Sequence, residues 1–301
     1  MKRKSHFRKT ASDRVFDVCI AIFVFFVIAV TLYPLIYVFS MSISDPIRAA
    51  RGEVFLLPKG FDLTALKKVL SDPDILRYYY NTVWYTLVGT VLGIIATSLA
   101  AYPLSRREFA YRNLFMKFIM VTMFFGGGLI PTYMVVAKFL NLYNTRWAVI
   151  LPGLTSAWNV VVARTYFASL PEEIIESARL DGASEFRIFG QLVMPLSKPI
   201  LGVLALYYAV GLWNSYFGPM IYLGKKELQP LSLYIRSVMM QNSIESLAGS
   251  PVAIDVKGAA LLSALQIKYA VIVIAVLPMM LIYPLISKNL EKGLMIGAVK
   301  A

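Results

Sequence analysis

Leu170–Pro195 reads LPEEIIESARLDGASEFRIFGQLVMP, a polar island between two strongly apolar runs. Its pattern predicts two short helices that meet at a sharp joint. Ser169 stands where an N-cap belongs, Pro171 suits a first turn because its missing N–H has no helical partner there, and Glu172 completes a Ser-x-x-Glu capping box. The first helix is therefore expected to begin at Leu170. Ile174, Ile175, Ala178 and Leu180 give it an apolar side, with Glu172, Glu173, Glu176 and Arg179 on the polar one. Asp181-Gly182 supplies the stop, since glycine accepts the left-handed conformation that ends a helix. A second helix is expected after Ser184 as cap, running through Phe186, Phe189 and Leu192 toward Pro195.

Two placements of this hairpin fit its physics: flat on a lipid surface or under a helix bundle, or inserted into a partner protein. Five acids, Glu172, Glu173, Glu176, Asp181 and Glu185, disfavour an anionic leaflet and weigh toward a protein. The spacing adds to this. Glu176-Ser177-Ala178, then Gly182, then Leu192-x-Met194-Pro195 resemble the E-A-A-x3-G-x9-I-x-L-P loop of permease subunits of bacterial binding-protein-dependent ABC importers. The departures at Ser177, Leu192 and Met194 are conservative. The resemblance implies a cytoplasmic loop that docks a helix into a cleft of an ATPase subunit. Its coupling residues are then Glu172, Glu173, Glu176, Ser177, Ala178, Asp181, Gly182 and Pro195, with Glu176 the polar contact.

The rest of the chain has the composition of a bilayer protein. Of its 301 residues 58% are hydrophobic and only 16% charged, and the mean hydropathy is +0.66, too apolar for a soluble domain. A net charge of +13 raises the question of nucleic acid, but the basic residues form no aromatic-interleaved patch and sit mainly in the connections. The one cysteine, Cys19, lies inside an apolar run and has no intrachain disulfide partner. The first apolar run is too long for a signal h-region and lacks a small-residue cleavage site after it.

Apolar runs at about 15–39, 79–104, 114–137, 147–167, 196–223 and 269–286 approach or exceed the ~20 residues that cross a hydrocarbon core. The expectation is an all-α integral membrane protein, with a tail at 1–14, a six-span permease domain at 15–287 enclosing the 170–195 loop, and a tail at 288–301. Lys2, Arg3, Lys4, Arg8, Lys9 and Arg14 flank the first run, and Arg106, Arg107, Arg112 and Lys117 follow the second, which puts both termini in the cytoplasm. The long first external loop carries six cations and five acids, but long loops translocate largely regardless of charge. Within it, Phe61–Leu70 reads as a short interfacial helix.

Several features invite a functional and a structural reading side by side. Tyr78, Tyr79, Tyr80, Trp84 and Tyr85 form either an interfacial aromatic belt or a sugar-stacking lip. Gly126-Gly127-Gly128 with Pro131 weakens the third run, for close helix packing or for a gate. Asn159 in the fourth run and Trp213, Asn214 and Tyr216 in the fifth are polar or amphipathic groups at membrane depth. They are candidates for a substrate path or for helix-to-helix hydrogen bonds. The external segment 224–266, with Met239, Met240 and Gln241, is too long for a turn and too short for a domain.

The absences exclude whole classes. No Walker A loop is present to cradle phosphates, the single histidine is His6 in the tail, and no Cys/His set exists to hold a metal. A catalytic site is not expected. The apolar runs hold no interior acid besides Asp17, which argues against a proton-coupled carrier, and the histidine inventory argues against an intramembrane hydrolase.

The resemblance, strongest over Asn144–Leu201 and the two chain ends, points to the sugar branch related to maltose permeases and the type I importer fold. It implies a bacterial cell membrane location, a homologous permease as partner, two ABC ATPase subunits that carry the ATP and Mg, and an extracytoplasmic substrate-binding protein. Lipid surrounds the spans, and nucleic acid has no part. The tail around Gly293 and Gly297 resembles the family's ATPase-reaching end loosely, with Ala301 ending it differently. A carbohydrate, an oligosaccharide above all, is the implied cargo, because aromatics without buried charge suit a neutral or weakly charged sugar. An ion-coupled carrier or a permease for a non-sugar solute is the alternative.

Overall fold

A computed structural model describes residues 11–247 and 266–281, which divide into two compact units. The chain is all-helical among these residues, with an isolated bridge between Ser44 and Phe61 as the sole strand-like pairing.

The first unit comprises 1–71 and 239–274. Its longest element, α1 (Ala11–Ser42), is apolar all round, and no residue of its most apolar window is buried. Cover begins only at its end, where Met41 packs with Ala49 and Val54. Asp45 caps the short helix Pro46–Ala50 by accepting from the Ile47 and Arg48 amides at 3.0 and 3.1 Å. The interfacial helix expected from Phe61 starts at Thr64 and runs to Leu70, because Asp62 turns its carboxylate onto the Thr64 amide at 2.7 Å and so sets the boundary. Ala65 and Val69 are its buried face. Gln266, at the start of the last described helix (Gln266–Leu281), donates to the Ser44 carbonyl at 2.7 Å.

The second unit comprises 72–238 and 275–301 and is organised on α2 (Pro73–Ser105). Asp72 caps it, Pro73 supplies the prearranged φ at its first position, and 33 residues follow without a break. Two helices pack along it, α5 (Ala157–Ala168) and α8 (Lys198–Trp213). The approach is close because of two glycines one turn apart. A Cβ on Gly89 would sit 2.6 Å from Leu212 Cδ1, and one on Gly93 would sit 3.0 Å from the Tyr208 ring. Gly89-Thr-Val-Leu-Gly93 is the small-xxx-small pattern of tightly packed membrane helices. Thr97 and Tyr208 then share a buried hydrogen bond.

The third, fourth and fifth apolar runs are helical but not straight. The third builds α3 (Arg112–Phe124) and α4 (Leu129–Phe139), whose axes are bent by 113°. Of the two readings of Gly126–Gly128, close packing finds no neighbour among the described residues: added Cβ atoms there meet nothing nearer than 3.7 Å, and Gly128 takes φ +78. These glycines reverse the chain instead. In the fourth run Pro152 interrupts the ladder after Trp147–Ile150, and Ser156 is extended before α5 begins. The fifth run ends α8 at Trp213, pauses at Asn214–Tyr216 and resumes as Phe217–Tyr222. Of the sixth run, residues 269–281 are helical, and 282–286, the C-terminal tail and most of the 248–266 segment lie outside the described residues.

Candidate functional site

The polar island forms α6 (Glu172–Leu180) and α7 (Glu185–Leu196). One detail of its start differs from expectation. Ser169 closes α5, its Oγ bonded to the Tyr166 carbonyl at 2.7 Å, and Pro171 occupies the N-cap in an extended conformation. A residue before proline is pushed out of the helical region, so Leu170 cannot open the helix and the capping box does not form. The joint is as read. Gly182 takes φ +78, its amide bonds the Arg179 carbonyl at 2.9 Å, and the Ala183 amide bonds the Ala178 carbonyl at 3.0 Å, the paired bonds of a Schellman motif. Ser184 then caps α7 through the Arg187 amide.

The hairpin has an inner and an outer face. Ile175, only 3% exposed, and Ile188 sink into a cluster with Ala101, Tyr102, Leu104, Ala163 and Phe167, and Ala178, Ala183 and Phe189 pack around them. Glu173, Glu176, Ser177 and Asp181 look outward, and with them two large apolar side chains, Leu180 at 88% and Phe186 at 83% exposure. Leu180, expected on the apolar inner side, therefore belongs to the outer one. It lies two positions beyond Ala178, about 200° round the helix. Glu172 reaches Arg107 at 4.0 Å. Pro195 is exposed near the end of α7, before the 81° bend into α8 where Pro199 lacks an amide to continue the ladder.

A charge network ties this hairpin to the Ser105 end of α2. Arg179 donates from Nη1 to Glu108 Oε1 at 2.6 Å and from Nε to Glu185 Oε1 at 2.9 Å. The other oxygen of Glu185 accepts from the Tyr102 hydroxyl at 2.8 Å. One guanidinium thus joins α6, α7 and the 106–111 loop, while its neighbour Arg106 donates to the Phe167 carbonyl at the end of α5. Hydrogen bonding to Arg179 holds the Glu108 carboxyl below its ordinary range, and the same bonds, to Glu108 and then Glu185, push the Arg179 guanidinium up. Both stay ionised at any physiological pH. A groove of about 490 Å³ opens beside the network, lined by Leu99, Pro103, Phe109, Phe186 and Phe189 along with the charged groups.

Sequence reasoning counted Glu108 only as the acid set against the basic residues after the second run, and Glu185 only among the five acids of the hairpin. Two signals were present: Glu108 is a lone carboxylate among Arg106, Arg107 and Arg112, and Arg179 and Glu185 straddle the Gly182 turn.

Of the path candidates, Trp213, Asn214 and Tyr216 share the break after α8, and Asn159 lies buried on α5. Trp213 is buried too, its indole donating to the Ala275 carbonyl at 3.1 Å with the Tyr79 ring edge-on at 5.8 Å. Asn214 is exposed and bonds back to the Val210 carbonyl, and Tyr216 is 36% exposed beside Arg236. Of the aromatic group on α2, Tyr78 and Tyr85 are buried and Tyr80 is exposed.

Residues 2–296 match the family model described as the inner membrane component of binding-protein-dependent transport systems. Protein LplC of Bacillus subtilis (strain 168) is 39% identical over 97% of each chain. The polygalacturonan/rhamnogalacturonan transport system permease protein YtcP of the same organism is 33% identical, over 96% of this chain and 99% of that one. A chain in the crystal structure of a bacterial ABC transporter involved in the import of the acidic polysaccharide alginate superposes with a TM-score of 0.83 at 32% identity, covering 93% of this chain and 98% of its own.

Proposed function

As the chain belongs to the family of inner membrane components of binding-protein-dependent transport systems, we propose that it forms half of an oligosaccharide pathway, moved by an ATPase that grips the α6–α7 hairpin. The observation that carries this reading is the two-faced hairpin. Its inner face is locked to α2 and α5 by apolar packing and by the Arg179 network, while Leu180 and Phe186 stand in the open among acids. Large apolar side chains exposed beside unpaired charge are costly in water and suit a complementary protein surface.

In this reading the hairpin lies in the cytoplasm, both termini share that side, and the bacterial plasma membrane holds six crossings, the third to fifth as broken helices. The coupling residues are Glu172, Glu173, Glu176, Ser177, Ala178, Asp181, Gly182 and Pro195. Glu173 and Glu176 meet the ATPase, and Gly182 sets the angle at which α6 is offered. ATP and Mg act on two ATPase subunits, and this chain contributes no chemistry. Closure of the ATPases pushes α6, Arg179 passes the displacement to α2 and α7, and α8 swings about the bend at Ser197. A homologous permease completes the cavity and an external binding protein delivers cargo. The oligosaccharide class is supported by the names of the polygalacturonan/rhamnogalacturonan permease and the alginate importer. Asn159, Trp213, Asn214 and Tyr216 remain the candidates along the path.

A gentle detergent pull-down of the tagged chain from its native membrane tests the assembly. Recovery of a second permease and an ATPase is the expected result, and a chain recovered alone after cross-linking overturns it. Glu176→Lys, which reverses a charge on the exposed face without touching the core, is expected to abolish transport and cargo-stimulated ATP hydrolysis while membrane insertion stays intact. Normal transport by this variant would remove the docking argument.

A further inference from the structure

We infer that Arg236 and Tyr216 form a carboxylate-reading site for an acidic sugar, an assignment that rests on the oligosaccharide-importer reading above. Arg236 lies on α10 (Leu231–Leu247), the helix that follows Phe217–Tyr222, which is α9. Its guanidinium carbon is 5.5 Å from the centroid of the Tyr216 ring, and its Nη1 points at Met220 Sδ, 2.8 Å away. Neither partner carries charge, and a thioether is a weak acceptor. Among the described residues no carboxylate pairs with Arg236, whereas Arg179 meets two, Arg77 meets Asp74, and Arg106 and Arg164 reach backbone carbonyls.

The cation is also held in place. Ser232, one turn before it, donates to the Ser215 carbonyl at 2.7 Å and so fastens α10 to the Asn214–Tyr216 break in the fifth apolar run. Arg236 is half-buried, yet the Tyr216 ring beside it is exposed. A half-withdrawn cation without a counter-charge is costly, and a visiting anion recovers that cost. The planar fork of a guanidinium accepts a carboxylate through two parallel bonds, and exposed aromatic faces suit the C–H faces of a sugar ring. A hexuronate unit brings both features together. A neutral sugar brings only the second.

The test uses the importer with the subunits that co-purify from its native membrane, reconstituted in liposomes with ATP at the ATPase face. Uptake of trigalacturonate and of galactotriose is compared for wild type, Arg236→Gln and Arg236→Lys, with each variant's melting temperature as a folding control. The expected result is a trigalacturonate-to-galactotriose uptake ratio that falls roughly tenfold or more in Arg236→Gln, as expected for loss of a charge-assisted bond, and partly recovers in Arg236→Lys. A ratio within twofold of wild type in Arg236→Gln, with both sugars slowed alike, makes Arg236 a packing or lipid-anchoring residue and overturns the proposal. So does a wild-type importer that carries galactotriose and refuses trigalacturonate. If wild type carries neither sugar, the acidic-sugar assignment fails, and the importer reading is then judged separately by whether Glu176→Lys changes the ATP hydrolysis of the assembly.

Discussion

The two ends of α2 are fastened by different chemistry. At the Pro73 end, Asn81, 1% exposed, donates to the Glu227 and Gln229 carbonyls at 2.7 and 3.0 Å, Tyr85 donates to the Leu228 carbonyl at 2.8 Å, and Thr82 accepts the Leu231 amide at 2.8 Å. Uncharged side chains there clamp a stretch of backbone, with Arg146 donating to the Asn81 amide oxygen at 3.1 Å behind them. At the Ser105 end, Arg179 holds Glu108 and Glu185 through side chains that are one third to one half exposed. Such a clamp, its donor Asn81 buried and its carbonyls half-withdrawn from water, is the more expensive to open because each freed carbonyl loses its partner. An exposed ion pair opens cheaply, because water and salt replace it. The first is expensive to open, the second cheap.

Four experiments bear on this contrast, from the largest expected effect to the smallest. Gly182→Val forces a β-branched residue into a left-handed conformation at a cost of about 1–2 kcal/mol, enough to misaim α6. Space is not the obstacle, since nothing lies within 4 Å of an added Cβ. Transport should be lost while the melting temperature in detergent moves little, and wild-type transport would show that the joint angle is irrelevant.

Asn81→Leu attacks the opposite end. Two half-buried carbonyls lose their donor, and a destabilisation of roughly 1–3 kcal/mol follows, read as a lower melting temperature. If instead the protein melts normally but hydrolyses ATP without transport, the Pro73 end is a working part and the contrast collapses. Arg179→Gln should do the reverse, costing under about 1 kcal/mol in stability while the transport achieved per ATP falls several-fold. A stability loss as large as that of Asn81→Leu would place the network among structural clamps.

The smallest effect concerns pH. Glu108 has its pKa lowered from the ordinary 4.5, chiefly by the hydrogen bond from Arg179. A carboxyl whose folded pKa is depressed contributes stability that is fully present above the unfolded value and is lost as pH falls through the folded one. Coupling through this pair should therefore be flat from pH 6 to 8 and weaken only below about 4.5. A midpoint near neutrality would assign the transition to another group.

How much of this was open to reading from residues depended on the distance over which each interaction acts. The hairpin joint was legible because Gly182 and Ser184 act on their own backbone within a few positions, and the helical character of the apolar runs followed from length and hydropathy. The start of α6 was misplaced because two local rules competed at Ser169-Leu170-Pro171, and the steric demand of proline outweighed the cap. The breaks at Gly126–Gly128, Pro152 and Asn214–Tyr216 were visible as residues but not as bends, since a hydropathy window sums over them. The Arg179 network and the Asn81 clamp escaped because their partners lie 71 and 146 or more positions away, where no periodicity points.

Helix α1 has a consequence for how the chain is made. Ser12–Ser42 spans 31 residues, its most apolar stretch reaching a mean hydropathy of 2.9, and at 1.5 Å per residue it is about 46 Å long, against roughly 30 Å of hydrocarbon. It must tilt steeply or stand proud of the bilayer. Because its apolar surface is turned to its surroundings, it depends on no later segment to become stable in lipid. During synthesis it can enter the membrane while α2 is still unmade. The helix with the barest surface is thus the one that needs least from the rest.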